Sequence, residues 1–110
     1  MLAPAGAWEW LVEASSAREN GVVLDVVQAA LGLISHDMWA ISVRVEPDRI
    51  ILYVAVRARS AQVEEDVDDL VFELSALQDK LIDIDVLVHA GEPGTAWPGH
   101  LGRRVYLAKE

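Results

Sequence analysis

The sequence predicts one α+β domain spanning residues 1–110, with helices packed on one face of a small, mainly antiparallel sheet of three or four strands. Three observations lead to this prediction. The 110 residues, 53% of them apolar, suit a single hydrophobic core. Two neighbouring segments near the middle alternate with the period of strands, and a later one has the period of a helix. The predicted order is α-α-β-β-α-β, followed by a short candidate fourth strand.

Two helices are predicted at the N-terminal end. Residues 5–19 mix Ala, Glu, Leu and Trp, and Asn20-Gly21 offers the left-handed geometry that ends helices. Residues 22–34 are apolar nearly all round, which also suits a buried strand. Their length, and the run Gln28-Ala29-Ala30-Leu31, favour a second helix.

An antiparallel hairpin is predicted next. Trp39, Ile41, Val43 and Val45 alternate with smaller or polar residues, which is typical of a half-buried strand. Residues 46–49 contain a proline suited to a turn, and residues 50–58 form a second β-rich run.

A long core helix and further strands complete the predicted domain. Ser60 is a suitable N-cap, and a helix of about 20 residues is predicted from an apolar stripe. The stripe comprises Val63, Val67, Leu70, Leu74, Leu77 and Leu81. Residues 82–89 alternate as a strand, and residues 90–102 form a loop rich in Gly and Pro. Residues 104–109 are the candidate last strand, with Val105 and Leu107 facing inward.

The charge of the chain restricts its partners. Asp and Glu number 18 against 9 Lys and Arg, which gives a formal net charge of -9. Such a surface repels nucleic-acid phosphates and anionic lipids, so neither nucleic acid nor membrane is an expected partner. There is no cysteine, and the first ten residues lack the basic and apolar regions of a secretory signal. A cytoplasmic location is therefore expected.

Acidic residues concentrate on the predicted core helix. Residues 61–81 carry seven acids and one base, a net charge of -6. The helix dipole stabilises acids in the first turn, but Asp68, Asp69 and Glu73 lie beyond its reach. Like charges at helical spacing each cost about 0.2 to 0.5 kcal/mol, so these residues require another explanation.

A partner-binding surface is one such explanation. Stepping 100° per residue from Val63 places Phe72 opposite the buried stripe, where it would face water. An exposed aromatic ringed by carboxylates resembles an interaction hot spot for a cationic partner. The alternative is that Phe72 packs against another helix and the acids are a solvated face. Trp97, in the loop, is either a second recognition residue or a lid over the core. The predicted partner-binding residues are Glu65, Asp68, Asp69, Phe72, Asp79 and Trp97.

No catalytic site or cofactor is predicted. His36, His89 and His100 lack zinc-ligand spacing, and the loop matches no phosphate-binding motif. Asp83, Asp85 and His89 alternate along one strand and could bind a divalent cation. An arginine on a neighbouring strand, such as Arg44 or Arg57, could instead pair with these acids.

The acidic helix, the exposed Phe72 and the absence of a catalytic constellation resemble the small cytosolic immunity proteins with which bacteria neutralise toxins. The resemblance covers size, charge and helix-sheet character, and it implies inhibition by occlusion of a basic nuclease active site. Two other functions stay open. One is a self-associating structural or adaptor protein, dimerising through a sheet edge or an N-terminal helix that carries Trp8 and Trp10. The other is a metal-dependent enzyme using Asp83, Asp85 and His89.

Overall fold

A computed structural model describes the backbone of residues 5–108 and the side chains of residues 17–108. Trp8 and Trp10 therefore lie outside the described side chains. The two α-helices and four strands are α1 (Ala5–Ala30), β1 (Met38–Val45), β2 (Arg49–Val56), α2 (Ala61–Ala76), β3 (Asp83–Ala90) and β4 (Arg103–Leu107), with a short 3-10 helix at Pro98–Leu101. Neither helix carries, in its described part, an apolar run that could cross a bilayer.

The four strands form one sheet in the order β3-β2-β1-β4, which confirms the predicted α+β class. β1 pairs antiparallel with β2 and with β4, whereas β3 runs parallel to β2. The parallel pair follows from the connection, because α2 crosses over one face of the sheet between β2 and β3. Both helices pack on this face, where Val26, Ile41, Leu52 and Leu70 are buried in one core cluster.

The predicted hairpin is confirmed, with one irregularity. Its register runs from Val45 opposite Ile50 to Met38 opposite Val56, and a bulge lies between Met38 and Ala40. Because the bulge breaks the alternation, Trp39 lies on the face away from Ile41. There the Arg57 guanidinium stacks over its ring, 4.6 Å from the centroid.

The two predicted N-terminal helices are one continuous helix, α1, so the break at Asn20-Gly21 is wrong. Gly21 does not adopt a positive φ; the left-handed glycine is Gly32, with φ of 82°, just beyond the end of α1. A helical glycine costs about 0.5 to 1 kcal/mol relative to alanine. Burial of Val22 and Val26 against the sheet offsets this cost and carries the helix through the glycine.

α2 begins as predicted and ends earlier. The Val63 N–H donates to Ser60 Oγ at 3.1 Å, so Ser60 is the N-cap. The helix stops at Ala76 after 16 residues, and Leu81 is fully exposed rather than part of the buried stripe. The chain must leave the helix here because β3 begins at Asp83, paired beside Arg49 of β2.

The loop before β4 covers the second face of the sheet. The Trp97 side chain is only 2% exposed and packs with Ala40, Ile51, Tyr53 and Ala55. Nearby, Ser42 Oγ donates to the Gly99 carbonyl at 2.7 Å, which ties the loop to β1. The sheet is thus covered by helices on one face and by this loop on the other.

The last strand forms, but only part of its predicted orientation is correct. A register shift in the pairing of β1 with β4 leaves Val105 unpaired between Tyr106 and Arg104. Val105 and Tyr106 therefore both pack toward the helix-side core, whereas Leu107 lies on the other face and is 50% exposed. The predicted inward position of Leu107 is wrong because the bulge was not visible in the alternation.

Candidate functional site

The candidate site is the solvent-facing side of α2. Its buried side is formed by Val63, Asp66, Val67, Leu70 and Leu74. On the opposite side the Phe72 side chain is 70% exposed, as the helical wheel predicts. We define the α2 outer face by the exposed residues Glu65, Asp68, Asp69, Phe72 and Glu73. Asp68 and Asp69 lie one helical turn before Phe72, where side chains are direct neighbours.

The carboxylates of the α2 outer face are not neutralised within the described part of the chain. None of the four salt bridges found there includes Glu65, Asp68, Asp69 or Glu73. Asp66 differs from them, because it is buried and accepts a hydrogen bond from Gln62 Nε2 at 3.0 Å. Its place on the core side of α2 removes it from any surface that a partner could reach.

Phe72 borders a groove that the sequence did not indicate. The groove has a volume of about 390 Å³ and runs between α2 and the C-terminal end of α1. It is lined by Gln28, Ala29, Leu31, Leu33, Asp69, Phe72 and Glu73. Apolar and acidic side chains thus lie side by side, which suits a partner that combines an apolar anchor with cationic flanks.

Leu31 is the residue of this groove that sequence reasoning missed. Residues 22–34 are apolar nearly all round, which predicts a buried helix, yet Leu31 is 74% exposed. The available signal was the spacing of Leu24, Val27, Leu31 and Ile34, which places four large apolar residues on one side of a helix. All four are exposed in the structure.

Two predicted partner-binding residues lie elsewhere. Asp79 follows the end of α2 and lines a separate cleft with Arg18, Asp25 and Lys80, so it does not surround Phe72. The prediction placed it beside Phe72 because it extended the helix too far. Trp97 is buried against the sheet, as the lid alternative describes, and offers no exposed ring to a partner.

The residues proposed for a metal site do not assemble into one. Asp85 Oδ2 accepts a hydrogen bond from Arg49 Nη1 at 3.1 Å, so its partner is Arg49 rather than Arg44 or Arg57. No group of three His, Asp or Glu residues suited to a metal ion occurs in the described residues. The hydrogen bond to Glu46, and then the Glu46 charge, raise the pKa of Arg49. Its guanidinium, which is positively charged as in any arginine, lies between Glu46 and Asp85.

Comparison with known proteins identifies no family for this chain. No protein-family model matches the sequence, and no curated protein is significantly similar to it. The chemistry of the α2 outer face is therefore the basis for a functional interpretation.

Proposed function

We propose that this chain is a binding protein for a basic protein partner, which docks on the α2 outer face. The observation that carries the proposal is the combination of an exposed Phe72 with uncompensated carboxylates on the same helical surface. Aromatic residues at the centre of an interface supply most of the affinity, whereas surrounding charges steer the partner and select its sign.

Inhibition of a nuclease toxin is the form of binding that this surface suits best. A nuclease active site is cationic because it holds nucleic-acid phosphates. Carboxylates spaced along α2 would imitate those phosphates, and Phe72 would anchor the complex in an adjoining apolar pocket. The bound domain would then cover the active site and exclude the substrate, as immunity proteins do.

The second candidate, a self-associating structural or adaptor protein, is favoured by a different observation. Leu24 and Val27 of α1 and Leu31 just beyond its end are exposed, and Val27 lies near β4 on a side away from Phe72. No comparable observation among the described residues favours the metal-dependent enzyme, because Asp85 is engaged by Arg49.

The first test uses as candidate partner the protein encoded by the reading frame next to this one in the genome. The two proteins are co-expressed and co-purified, and their affinity is measured by calorimetry. Phe72→Ala should weaken binding by at least about tenfold, since central aromatic anchors are commonly worth 2 kcal/mol or more. Leu81→Ala is the matched control, because Leu81 is fully exposed and lies outside the α2 outer face.

Charge reversal tests the electrostatic part of the proposal. Asp68→Lys with Asp69→Lys should reduce affinity by orders of magnitude, chiefly because cations would then face a cationic partner. Asp48→Lys with Glu92→Lys makes the same change in net charge at exposed positions away from α2. Equal losses in the two double variants would contradict docking on the α2 outer face.

A further inference from the structure

The side of the molecule formed by α1 and β4 is apolar and open. Leu24 of α1 and Leu31 just beyond its end are 68% and 74% exposed, and Val27, Leu31 and Ile34 line a groove beside β4. A groove of about 320 Å³ separates α1 from β4. Its lining is almost wholly apolar: Val27, Ala30, Leu31, Gly32, Ile34, Val105 and Tyr106.

β4 also has an unpaired edge. It is the terminal strand of the sheet, and its only neighbour among the described strands is β1. The Ala108 N–H donates to the Trp39 carbonyl at 2.8 Å, so the backbone of Ala108 points toward β1. Because successive residues of a strand point to opposite edges, the N–H and C=O of Leu107 point away from β1. An exposed edge of this kind can accept another strand.

The charge of this side permits contact between two copies. Of the charged residues in 17–34 and 103–108, Arg18 and Asp25 line the separate cleft beside Asp79. The others are Arg103, Arg104 and Glu19, a net charge of +1. Residues 61–81 carry -6. Two copies of a chain with a net charge of -9 repel each other least where their nearly neutral sides meet.

We propose that the chain forms a two-fold symmetric homodimer in which the β4 strands of two copies pair antiparallel. A two-fold axis makes the contact self-complementary, because the same groups of each copy meet. The two four-stranded sheets become continuous, and the exposed α1 side chains of one copy approach those of the other. Edge hydrogen bonds and apolar burial therefore act at the same interface.

This inference does not depend on the proposed binding of a basic partner. Phe72 and the groove beside it lie between α1 and α2, whereas the dimer contact lies between α1 and β4. Leu31 lines both grooves and is left unchanged in the test. Val27 lines only the groove between α1 and β4, and Leu107, on the opposite face of β4, lines neither groove.

Analytical ultracentrifugation across a concentration series measures the mass of the species in solution. The wild-type protein should have twice the 12.1 kDa mass of one chain. Leu107→Pro removes the outward N–H without removing a hydrogen bond to β1, and proline is tolerated at such edge positions. The Leu107→Pro variant should raise the dissociation constant of the dimer at least about tenfold. Leu107→Ala retains the N–H and should weaken it less.

A second variant addresses the α1 side chains. Val27→Glu places a carboxylate in each half of the interface and should also give a monomer, whereas Leu81→Glu, at a fully exposed site elsewhere, should remain dimeric. Circular dichroism verifies that each variant is folded. A wild-type protein that stays monomeric at roughly 100 µM, or a folded Leu107→Pro that dimerises as tightly as wild type, overturns the proposal.

Discussion

Gly99 shows how a single residue holds the loop on the second face of the sheet. A Cβ at this position would lie 2.4 Å from Trp97 Cζ2 and 2.6 Å from Ser42 Oγ. Only a hydrogen fits there, so the glycine lets the Trp97 ring pack against its backbone while Ser42 Oγ donates to the Gly99 carbonyl. Burial of Trp97 thus depends on the absence of a side chain two residues away.

Gly99→Ala should therefore destabilise the protein by about 1 to 3 kcal/mol, the usual cost of overpacking a filled core. Urea unfolding followed by tryptophan fluorescence measures the change. Gly94→Ala is the control in the same loop, because a Cβ there meets no atom within 4 Å. A Gly99→Ala variant as stable as Gly94→Ala would show that the loop packs less closely than described.

At the scale of elements, α2 combines a core-forming side with an outer face that opposes its own folding. Asp69 has the acidic neighbours Glu65, Asp66 and Glu73 at helical spacing, and none of the described bases pairs with it. Packing of Val63, Leu70 and Leu74 in the core holds the helix despite this repulsion. Carboxylates that cost stability and pair with no base among residues 17–108 are suited to an external cation.

Asp69→Asn should raise the free energy of unfolding by about 0.5 to 1 kcal/mol at low ionic strength, since it removes repulsion from neighbours at three positions. The same change should weaken binding of a basic partner. Glu92→Gln, on an exposed loop residue, removes one charge away from the helix and should leave stability nearly unchanged. Chemical unfolding at low and high salt measures the free energy of unfolding of both variants. A loss of stability on Asp69→Asn would contradict the repulsion argument.

Across the described part of the molecule, charge is unevenly distributed. The acidic residues concentrate on α2, while the α1 and β4 side is nearly neutral and presents the exposed apolar residues of α1. Two interactions of different physical character can therefore coexist on one small domain. One is led by electrostatics and the other by apolar burial and edge hydrogen bonds.

Salt should separate these two interactions. Raising the ionic strength shortens the Debye length from about 10 Å at 0.1 M to about 3 Å at 1 M. Affinity for a basic partner should fall steeply over this range, whereas the homodimer should weaken little or become tighter as repulsion between its acidic subunits is screened. Calorimetry and ultracentrifugation in the same buffers measure the two responses. A partner affinity independent of salt would count against recognition by the carboxylates.

Local periodicity was sufficient to predict the hairpin, the Ser60 cap and the buried side of α2, and it favoured an exposed Phe72. Each depends on the spacing of side chains within one element, which sequence displays directly. Local periodicity was not sufficient to predict the length of α1 or the position of Asp79. Both features depend on where a helix ends, and packing of the helix against the sheet decides where it ends.

By itself, the sequence determined the α+β class and the acidity of α2, because composition and spacing are properties of the chain. Helical spacing also predicted an outward Phe72, but only the structure excluded packing of its ring against another helix. Tertiary structure alone decided that residues 5–30 form one helix, that Trp97 is buried, and that Leu31 borders the same groove as Phe72. It also decided, through the bulge in β4, which way Leu107 faces. These outcomes depend on contacts between residues far apart in the chain, whose energies outweigh the local preferences of a glycine, a loop or an alternating strand.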